Sequence, residues 1–450
     1  MLRTAVLALA LAPIAAPARA ATPDGPLTPV ERRMVQSIDR GTGAALQLLE
    51  RVVDINSGTM HFDGVRDVAH VFAPEFEHLG FTTRWVDGAS WGRAGHLIAT
   101  RPGRPGRPRI LLVGHLDTMF EPNSPFQRFE RLSDSTARGP GVIDMKGGDV
   151  IMLLALRALK DAGSLDGLPV TVVLTGDEEH SGDPLALARA DLIAAADEAD
   201  AALGFEDGDG DPRHAVIARR GADQWLLRVR GTPAHSSQVF RADIGDGAIF
   251  TAAAILTAFR DSLGHEPYLT LNPGAIVGGT TVNLDREGNR GTAFGKSNVV
   301  AESTLVSGDL RTLAVEQRDH ARAVMRRIVA ATGPHTAATI TFSDGYPPLA
   351  PSDGNRRLLA LYDRASRDLG TGAIEPVDPS RAGAADISFT EGHVGMAIDG
   401  IGLRGDGGHT TGEYALLATL PVQAKRAALT IERLARDWRT TAKPPARPTP

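Results

Sequence analysis

The chain has 450 residues, 42% of them apolar, which is enough to bury the cores of two domains or of one domain interrupted by another. Its net charge of −6 argues against nucleic acid or an anionic membrane surface as the main partner. No internal apolar run reaches the roughly 18 residues that a transmembrane helix needs. Because the chain has no cysteine, a zinc site would have to use histidines and carboxylates.

The N-terminus has the pattern of a secretory signal peptide. Arg3 precedes an apolar run over residues 5–16, and Ala18 and Ala20 supply the small side chains that precede a cleavage site. A buried N-terminal helix is the alternative, which two prolines in this stretch disfavour. We therefore expect cleavage after Ala20, with residues 1–20 removed and the mature protein periplasmic or secreted.

The first half of the chain alternates between the periodicities of helices and strands. We predict these elements in chain order: helices over 30–53 and 65–79, strands over 82–86, 96–100 and 109–113, a helix over 147–162, a strand over 169–174, a helix over 185–195 and a strand over 201–205. Such alternation predicts an α/β sheet that is covered on both faces. Polar residues just beyond the C-terminal ends of the strands are then candidates for a site.

The pattern changes after residue 220, where extended segments and two long helices replace the regular alternation. A strand is predicted over 222–230, helices over 246–263 and 315–331, and a strand over 338–342; the earlier pattern resumes near 355 and ends with a helix over 421–438. We therefore divide the chain into a discontinuous domain over 21–220 and 345–439 and an inserted domain over 221–344. The tail over 440–450, with four prolines, is expected to be disordered.

The segment Gly114-His115-Leu116-Asp117-Thr118 follows a strand of apolar residues. Residues two apart on an extended segment share a face, so His115 can bind a metal ion while Asp117 orients it. A His-x-Asp pair is a weak signal by itself. Here four further motifs follow it in order: Gly141 to Gly148, Thr175-Gly176-Asp177-Glu178-Glu179, Phe205-Glu206-Asp207 and Gly408-His409-Thr410-Thr411.

Several acidic residues of these motifs stand near strand ends, without an arginine spaced to pair with each of them: Asp144, Glu178, Glu179 and Glu206. Burying several unpaired carboxylates together is prohibitive unless cations neutralise them. Taken singly, each acid is more simply read as an exposed loop residue. As an ordered set with His115 and His409, they indicate a metal site.

This ordered set resembles that of the co-catalytic di-zinc metallopeptidases, a family that includes glutamate carboxypeptidases of the carboxypeptidase G type, aminoacylases and succinyl-diaminopimelate desuccinylases. The resemblance covers residues 30–438. It implies a three-layer α/β/α catalytic domain with a mixed sheet. It also identifies residues 221–344 as an inserted α+β lid and dimerisation domain.

The resemblance implies two divalent metal ions per subunit, with Asp144 bridging them. His115 and Glu206 would complete one ligand set. Glu179 and His409 would complete the other. Zn²⁺ is the expected metal, and Co²⁺ or Mn²⁺ are alternatives because all three suit sites made of histidine and carboxylate.

Glu178 is expected to be the general base that activates a metal-bridging hydroxide. Neighbouring residues in an extended turn point in different directions, so Glu179 can hold a metal ion while Glu178 holds a proton. The alternative is that residues 177–179 form a solvated acidic turn. In the family the peptide bond after the bridging aspartate, here Asp144-Met145, is cis.

On the inserted domain, Ala234-His235-Ser236-Ser237 matches the family signature of a histidine that reaches the partner subunit's active site and supports the oxyanion. This implies a homodimer through the lid. Asn298 occupies the position of a substrate-binding asparagine, with Asn283 as a competing candidate. Arg311 is expected to clamp a substrate carboxylate, although Asp309 and Arg311 are also spaced to form a surface ion pair.

The sequence departs from the family pattern at two places. Ala301 replaces a proline, next to an apparent insertion over 284–295. Where relatives carry a Gly-Gly-Thr-Asp loop that lines the substrate pocket, this chain has Arg381-Ala382-Gly383-Ala384-Ala385-Asp386. Gly383 is the candidate pocket residue, and Arg381 is a candidate second contact for an acidic substrate.

A calcium site is the rival interpretation of one acidic segment. Asp207, Asp209 and Asp211 alternate as they do at the start of an EF-hand loop. However, position six is Pro212 rather than glycine and position twelve is Ala218 rather than glutamate. We therefore expect a flexible acidic turn.

Together these features predict an exported zinc-dependent hydrolase that cleaves an amide bond and releases an amino acid with a free α-carboxylate. Its substrate would be a small peptide or an N-acyl amino acid, as in glutamate carboxypeptidases and deacylases. Glu206, rather than an aspartate, resembles those members more than the aminopeptidases. A dipeptidase or aminopeptidase would need an acidic group for the substrate amine, which the sequence does not single out. A catalytically inactive binding protein on this fold would normally lack Glu178 or a ligand.

Overall fold

The computed structural model describes residues 26–285, 290–333 and 335–438. The predicted signal peptide over 1–20 and the predicted disordered tail over 440–450 lie outside these residues. Within the described ranges, no helix is both long enough and apolar enough to cross a membrane.

The structure contains α-helices in both the main-sheet domain and the inserted block. The N-terminus of the first helix has a capping box, in which the Thr28 hydroxyl accepts from the Glu31 amide and the Glu31 carboxylate accepts from the Thr28 amide. The helices are α1 (Pro29–Val53), α2 (Phe62–His78), α3 (Lys146–Asp161), α4 (Leu185–Ala188), α5 (Ala190–Asp197), α6 (Gly247–Leu263), α7 (Val315–Ala330), α8 (Asp353–Asp368) and α9 (Thr419–Asp437).

The strands divide between a main sheet, a second sheet in the inserted block and several short pairs. In chain order they are β1 (Thr82–Asp87), β2 (Gly95–Arg101), β3 (Ile110–His115), β4 (Glu130–Arg131), β5 (Thr136–Arg138), β6 (Val170–Thr175), β7 (Ala201–Gly204), β8 (His214–Ala215), β9 (Ala222–Gly231), β10 (Thr270–Gly279), β11 (Thr281–Leu284), β12 (Gly291–Phe294), β13 (Ser303–Arg311), β14 (Thr336–Tyr346), β15 (Glu375–Pro376), β16 (Met396–Ile398), β17 (Gly405–Asp406) and β18 (Tyr414–Leu416).

The main sheet has the order β1-β2-β6-β3-β7-β16 and is mixed. The strands β6, β3, β7 and β16 run parallel, and β1 and β2 pair antiparallel at one edge. Ile110 and Leu112 of β3 join the large core beneath α1, α3 and α9, while Leu111 and Val113 join the core beneath α5 on the opposite face. Both faces are therefore covered, as the apolar run of β3 predicts.

The inserted block forms a sheet of its own, with the antiparallel order β10-β13-β9-β14. The helices α6 and α7 pack on one face of this sheet, where Trp225, Leu227 and Val229 of β9 are buried. The short hairpin of β11 and β12 follows the edge strand β10. The strands and helices of this block run over residues 222–346, and from here on the name lid refers to this observed range rather than to the predicted 221–344.

The C-terminal ends of parallel strands in the main sheet carry three of the predicted metal ligands, His115, Glu179 and Glu206. His115 is the last residue of β3, and Glu206 follows β7 by two residues. Glu178 and Glu179 follow β6, while His409 lies between β17 and β18. Because β3, β6 and β7 are parallel, their C-terminal ends meet on one side of the sheet, where open α/β sheets bind ligands.

Candidate metal centre

Two sets of potential metal ligands share one aspartate. His115, Asp144 and Glu206 form one set, and within each set the ligand atoms lie within 4.8 Å of one another. The second set is Asp144, Glu179 and His409. The structure thus brings together all five residues predicted to bind metal.

The two oxygens of Asp144 face different histidines. Oδ1 lies 3.2 Å from His115 Nε2, and Oδ2 lies 2.9 Å from His409 Nε2. His115 Nε2 also lies 3.6 Å from Glu206 Oε1, and His409 Nε2 lies 3.0 Å from Glu179 Oε2. This arrangement fits two adjacent ions bridged by one carboxylate.

The protonation behaviour of these groups fits divalent cations. Burial and the neighbouring Asp144 charge raise the pKa of Glu179 to about 7, and burial raises the pKa of Glu206 well above its ordinary value. Hydrogen bonds to Asp144 and Glu179 raise the pKa of His409 to about 11. Packing acids so closely is costly until cations neutralise them, and a donor set of imidazole and carboxylate suits zinc, cobalt or manganese.

Asp117 contacts both the first histidine and the turn that carries Glu178 and Glu179. Its carboxylate is fully buried, and Oδ1 lies 3.4 Å from His115 Nδ1. The Thr59 hydroxyl donates to Oδ2 at 2.6 Å. The amides of Glu178 and Glu179 donate to Oδ1 and Oδ2 at 3.1 and 3.2 Å. One carboxylate therefore fixes a ligand and the 178–179 turn together.

The two glutamates of this turn point in different directions. Glu179 contacts His409, whereas the Glu178 carboxylate has no hydrogen-bond or ion-pair partner within the described part of the chain. Burial raises the pKa of Glu178 well above its ordinary value. A carboxyl in such surroundings can hold a proton, which a general base must do.

A buried arginine network lies beneath Glu178 and joins it to the lid. Arg189 pairs with Asp177 at 2.6 Å and with Asp386 at 2.7 Å, and it donates to the Tyr346 hydroxyl at 2.7 Å. The Tyr346 hydroxyl in turn donates to the main-chain carbonyl of Glu178 at 3.0 Å. Tyr346 ends β14, so a lid residue contacts the backbone of Glu178, the predicted general base. Sequence reasoning missed this network, because its members are far apart in the chain.

Glu413 holds the segment that presents Asp144. Its buried carboxylate accepts from the amides of Gly141, Ile143 and Asp144 at 3.0, 2.9 and 3.2 Å. Burial raises the pKa of Glu413 to about 8. The peptide bond between Asp144 and Met145 is cis. Sequence reasoning also missed Glu413; the available signal was its place four residues after His409.

His235 and Asn298 lie in neighbouring segments of the lid, and among the described residues neither forms a hydrogen bond or ion pair with the metal ligands. His235 is exposed, its Nδ1 lies 2.8 Å from Ser237 Oγ, and its backbone pairs with Val299. The carbonyl of the neighbouring Asn298 accepts from the Ser236 amide at 2.9 Å. No hydrogen bond or ion pair among the described residues joins His235 to the metal centre.

Arg311 forms the surface ion pair that its spacing allowed, because Asp309 Oδ2 lies 3.0 Å from its Nε. Both side chains remain about one-third exposed, at 37% and 35%. The competing candidate Asn283 lies in β11, opposite Thr292 of β12. Neither arrangement reveals a contact with a substrate carboxylate.

The loop over residues 381–386, which departs from the family pattern, is held by one ion pair and by a hydrogen bond to its backbone. Arg381 is 59% exposed and lies 3.1 Å from Asp209 Oδ2. The carbonyl of Gly383 accepts from Arg219, which also pairs with Asp399 at 2.8 Å. Arg381 is thus accessible, but it already has an anionic partner.

Asp207, Asp209 and Asp211 do not form a set of potential metal ligands among the described residues. Asp209 pairs with His214 at 2.8 Å as well as with Arg381, and Asp211 pairs with Arg213 at 2.6 Å. Among the described residues, the sets that could hold a metal ion do not include Asp207, Asp209 or Asp211. The geometry therefore agrees with an acidic turn rather than an EF-hand loop.

Residues 111–433 match the family model described as peptidase family M20/M25/M40. The chain is 25% identical over 392 residues to carboxypeptidase G2 of Pseudomonas sp. (strain RS-16), covering 86% of this chain and 88% of that protein. It is 33% identical over 191 residues to acetylornithine deacetylase of Salmonella arizonae, covering 40% and 47%.

The fold is similar to that of the Bacillus subtilis YXEP protein, described as a dinuclear metal-binding peptidase of the M20 family. The TM-score is 0.59 at 15% identity, and the match covers 88% of this chain and 99% of the other. At this identity the likeness concerns the fold. It spans the main sheet and the lid alike.

Proposed function

Because the chain belongs to peptidase family M20/M25/M40 and is one of its metallohydrolases, we propose that it is a zinc-dependent amidohydrolase that releases an amino acid with a free α-carboxylate. Its activity would be that of a glutamate carboxypeptidase or an N-acyl-amino-acid deacylase. The observation that carries this proposal is the pair of ligand sets sharing Asp144, with the unbonded Glu178 carboxylate beside them. Similarity to carboxypeptidase G2 over most of both chains supports it.

Two divalent ions, when bound, supply a water of lowered pKa and polarise the scissile carbonyl. His115 and Glu206 would hold one of them, and Glu179 and His409 the other. Glu178 would take a proton from the attacking water and return it to the leaving nitrogen as the C–N bond breaks. The products are a carboxylate and an amine, so water and amide are consumed in equal amounts.

The lid would supply the contacts to the substrate carboxylate. Arg311 is partly exposed, and exchanging Asp309 for a substrate carboxylate would preserve a charge-assisted hydrogen bond. Asn298 would donate to the same substrate, and Gly383 and Arg381 would border the pocket. An Arg311→Lys substitution retains the charge but loses the planar fork, so it should raise KM for substrates with a free α-carboxylate.

We further propose that the protein acts as a homodimer through the lid. His235 is exposed and bonds within the lid, and its family role requires a second subunit. The helix α6 and the edge strand β10 expose apolar side chains beside one another, including Ile249, Phe250 and Ile276. An open strand edge with exposed apolar residues is a surface that a second copy would cover.

Mixing two inactive variants tests this arrangement. His235→Ala and Glu178→Ala should each lose activity, and their heterodimer should regain one complete site. After exchange of subunits, about one-quarter of the wild-type activity should return. No recovery, with mixed dimers verified by mass, would contradict a histidine supplied by the partner.

Export remains a proposal that rests on the first 20 residues of the sequence. Expression of the full chain in a bacterium, followed by fractionation and intact mass, should give a protein that begins at Ala21 in the periplasm or medium. A cytoplasmic protein that retains residues 1–20 would contradict it.

The proposed function is tested by hydrolysis of a matched panel. The panel contains peptidyl and folate-like C-terminal glutamates, N-acetyl and N-succinyl amino acids, and free dipeptides. Zinc-loaded protein should cleave substrates that end in a free α-carboxylate, and Glu178→Gln should lose the activity while keeping its metal. A requirement for a free α-amine would move the protein to the dipeptidase or aminopeptidase branch. Metal binding without turnover of any substrate would point to a binding protein.

A further inference from the structure

Asp207 places an additional carboxylate at the metal centre. It follows the ligand Glu206 directly, and its Oδ2 approaches the glycine that precedes His409. A Cβ atom on Gly408 would lie 3.9 Å from Asp207 Oδ2 and 3.9 Å from Asp144 Oδ2. Asp207 Oδ2 and Asp144 Oδ2 therefore both lie beside Gly408. The Asp207 side chain is partly accessible there.

This carboxylate lacks the partners that its neighbours have. Asp209 and Asp211 each form an ion pair, whereas no described residue hydrogen-bonds to the Asp207 carboxylate or pairs with it. The nearest arginines are bonded elsewhere. Arg219 pairs with Asp399, and Arg404 donates to main-chain carbonyls, including that of Asp207 itself.

The main-chain bond from Arg404 shows that the loop is held independently of the Asp207 side chain. Arg404 is fully buried and also donates to the carbonyls of His214 and Gly400. These three acceptors lie in the acidic loop, in β8 and after β16, so Arg404 joins the loop to two neighbouring segments. The partly buried Asp207 carboxylate thus has no hydrogen-bond or ion-pair partner among the described residues, whereas buried polar groups usually have one.

A charge count shows that the metal ions do not require Asp207. Two divalent ions would bring four positive charges. The ligands Asp144, Glu179 and Glu206 supply three negative charges, and Glu178 supplies a fourth. Asp207 adds a further carboxylate beside a ligand set whose charge two divalent ions would already balance. An unpaired charge in such a place favours a cationic partner that arrives with the substrate.

We propose that Asp207 is a specificity-determining residue that binds a positively charged group of the substrate. That group is either the free α-ammonium of a dipeptide or the ammonium of a basic side chain in an N-acyl amino acid. Recognition of a basic side chain rests on the proposed function, because it adds a second point of recognition to the same N-acyl substrate, whereas recognition of an α-ammonium would favour the dipeptidase alternative. It also supplies the acidic group that the sequence did not single out.

Matched substrates separate the two sources of positive charge. N-acetyl-L-lysine and N-acetyl-L-norleucine differ by the side-chain ammonium. Alanyl-methionine and its N-acetyl derivative differ by the α-ammonium. Each pair is assayed with wild-type protein, with Asp207→Asn and with the control Asp211→Asn, which removes an exposed aspartate of the same loop that pairs with Arg213.

The wild-type protein should prefer the cationic member of at least one pair. Asp207→Asn should lower kcat/KM for that member by about 10- to 100-fold and leave its neutral counterpart within about twofold. Asp211→Asn should change neither. Binding of the free products L-lysine and L-norleucine, measured by calorimetry, should show the same selective loss of affinity if the side chain is recognised.

Several results would overturn the proposal. An equal loss on cationic and neutral substrates, or loss of bound metal measured by elemental analysis, would make Asp207 part of the metal centre. Unchanged kinetics in Asp207→Asn would remove any role in recognition. If wild-type protein cleaves neutral N-acyl amino acids and disfavours cationic ones, this inference fails while the proposed function stands. If it cleaves none of the panel, the proposed function fails with it.

Discussion

Replacing Glu413 should weaken both the fold and the metal centre, although Glu413 is not itself a predicted ligand. Its Oε1 accepts from the amides of Ile143 and Asp144, and its Oε2 accepts from the amide of Gly141. In Glu413→Ala these three amides lose their acceptor in a buried place. Since a lost partner costs about 1–3 kcal/mol per buried group and such costs are not additive, we expect roughly 3–5 kcal/mol of destabilisation.

Glu413→Gln provides a graded comparison. A glutamine oxygen in the place of Oε1 keeps two of the bonds, while its NH₂ group faces the Gly141 amide. The loss should then be about 1–3 kcal/mol. Because the same segment presents Asp144, both variants should bind metal about 10- to 100-fold more weakly, as is typical when a group supporting a ligand is removed.

The assay combines thermal unfolding of the metal-loaded protein with competition against a chelator of known affinity. Glu130→Gln serves as the control, because Glu130 forms an exposed ion pair with Arg138 that should contribute less than about 1 kcal/mol. Metal affinity in Glu413→Ala equal to wild type would refute the view that Glu413 positions the bridging aspartate. Equal destabilisation by the alanine and glutamine variants would refute the hydrogen-bond accounting.

Three further predictions follow from the same region. Arg189→Ala leaves two buried aspartates without a cation and should destabilise the protein by about 3–5 kcal/mol, which thermal unfolding would detect; a change below about 1 kcal/mol would contradict the pairing. Tyr346→Phe removes the hydroxyl that donates to the Glu178 carbonyl, so kcat should fall by about tenfold with bound metal unchanged; an unaltered kcat would show that this link is dispensable. Because the pKa of His409 is raised to about 11 without metal, a metal ion must displace a proton from this residue, so metal affinity should rise with pH and binding should release protons. Calorimetry in two buffers with different ionisation enthalpies would measure the proton release. Equal metal affinities at pH 6 and pH 8 would contradict this prediction.

The full ligand set was predicted from the ordered motifs and the family resemblance that they carry, whereas the grouping of the ligands at strand ends follows from parallel strands whose C-terminal ends meet on one side of the sheet. His115 and Glu206 follow apolar strands that are neighbours in the sheet, so their position needed little more than strand order. The ion pair of Asp309 and Arg311 was also foreseeable, since residues two apart on β13 share a face. These features depend on local periodicity and on one topological rule.

Other features depend on contacts between distant parts of the chain. The bond from the Gly141 amide to Glu413 spans 272 residues, and that from Tyr346 to Glu178 spans 168. No periodicity encodes such pairs. The same holds for Asp207, which shares an alternating pattern with Asp209 and Asp211 but lies beside the metal centre while they pair with basic side chains. Orientation of a loop is set by tertiary packing, here by Arg404, and not by the spacing of its acids.

Metal stoichiometry tests the central claim most directly. Purified protein, stripped and then titrated with zinc, should bind two ions per chain. His115→Ala and His409→Ala should each retain about one tight ion, because each removes a ligand from only one of the two sets that share Asp144. One ion in the wild-type protein, or two ions of unchanged affinity in either variant, would contradict a two-metal centre built on these residues.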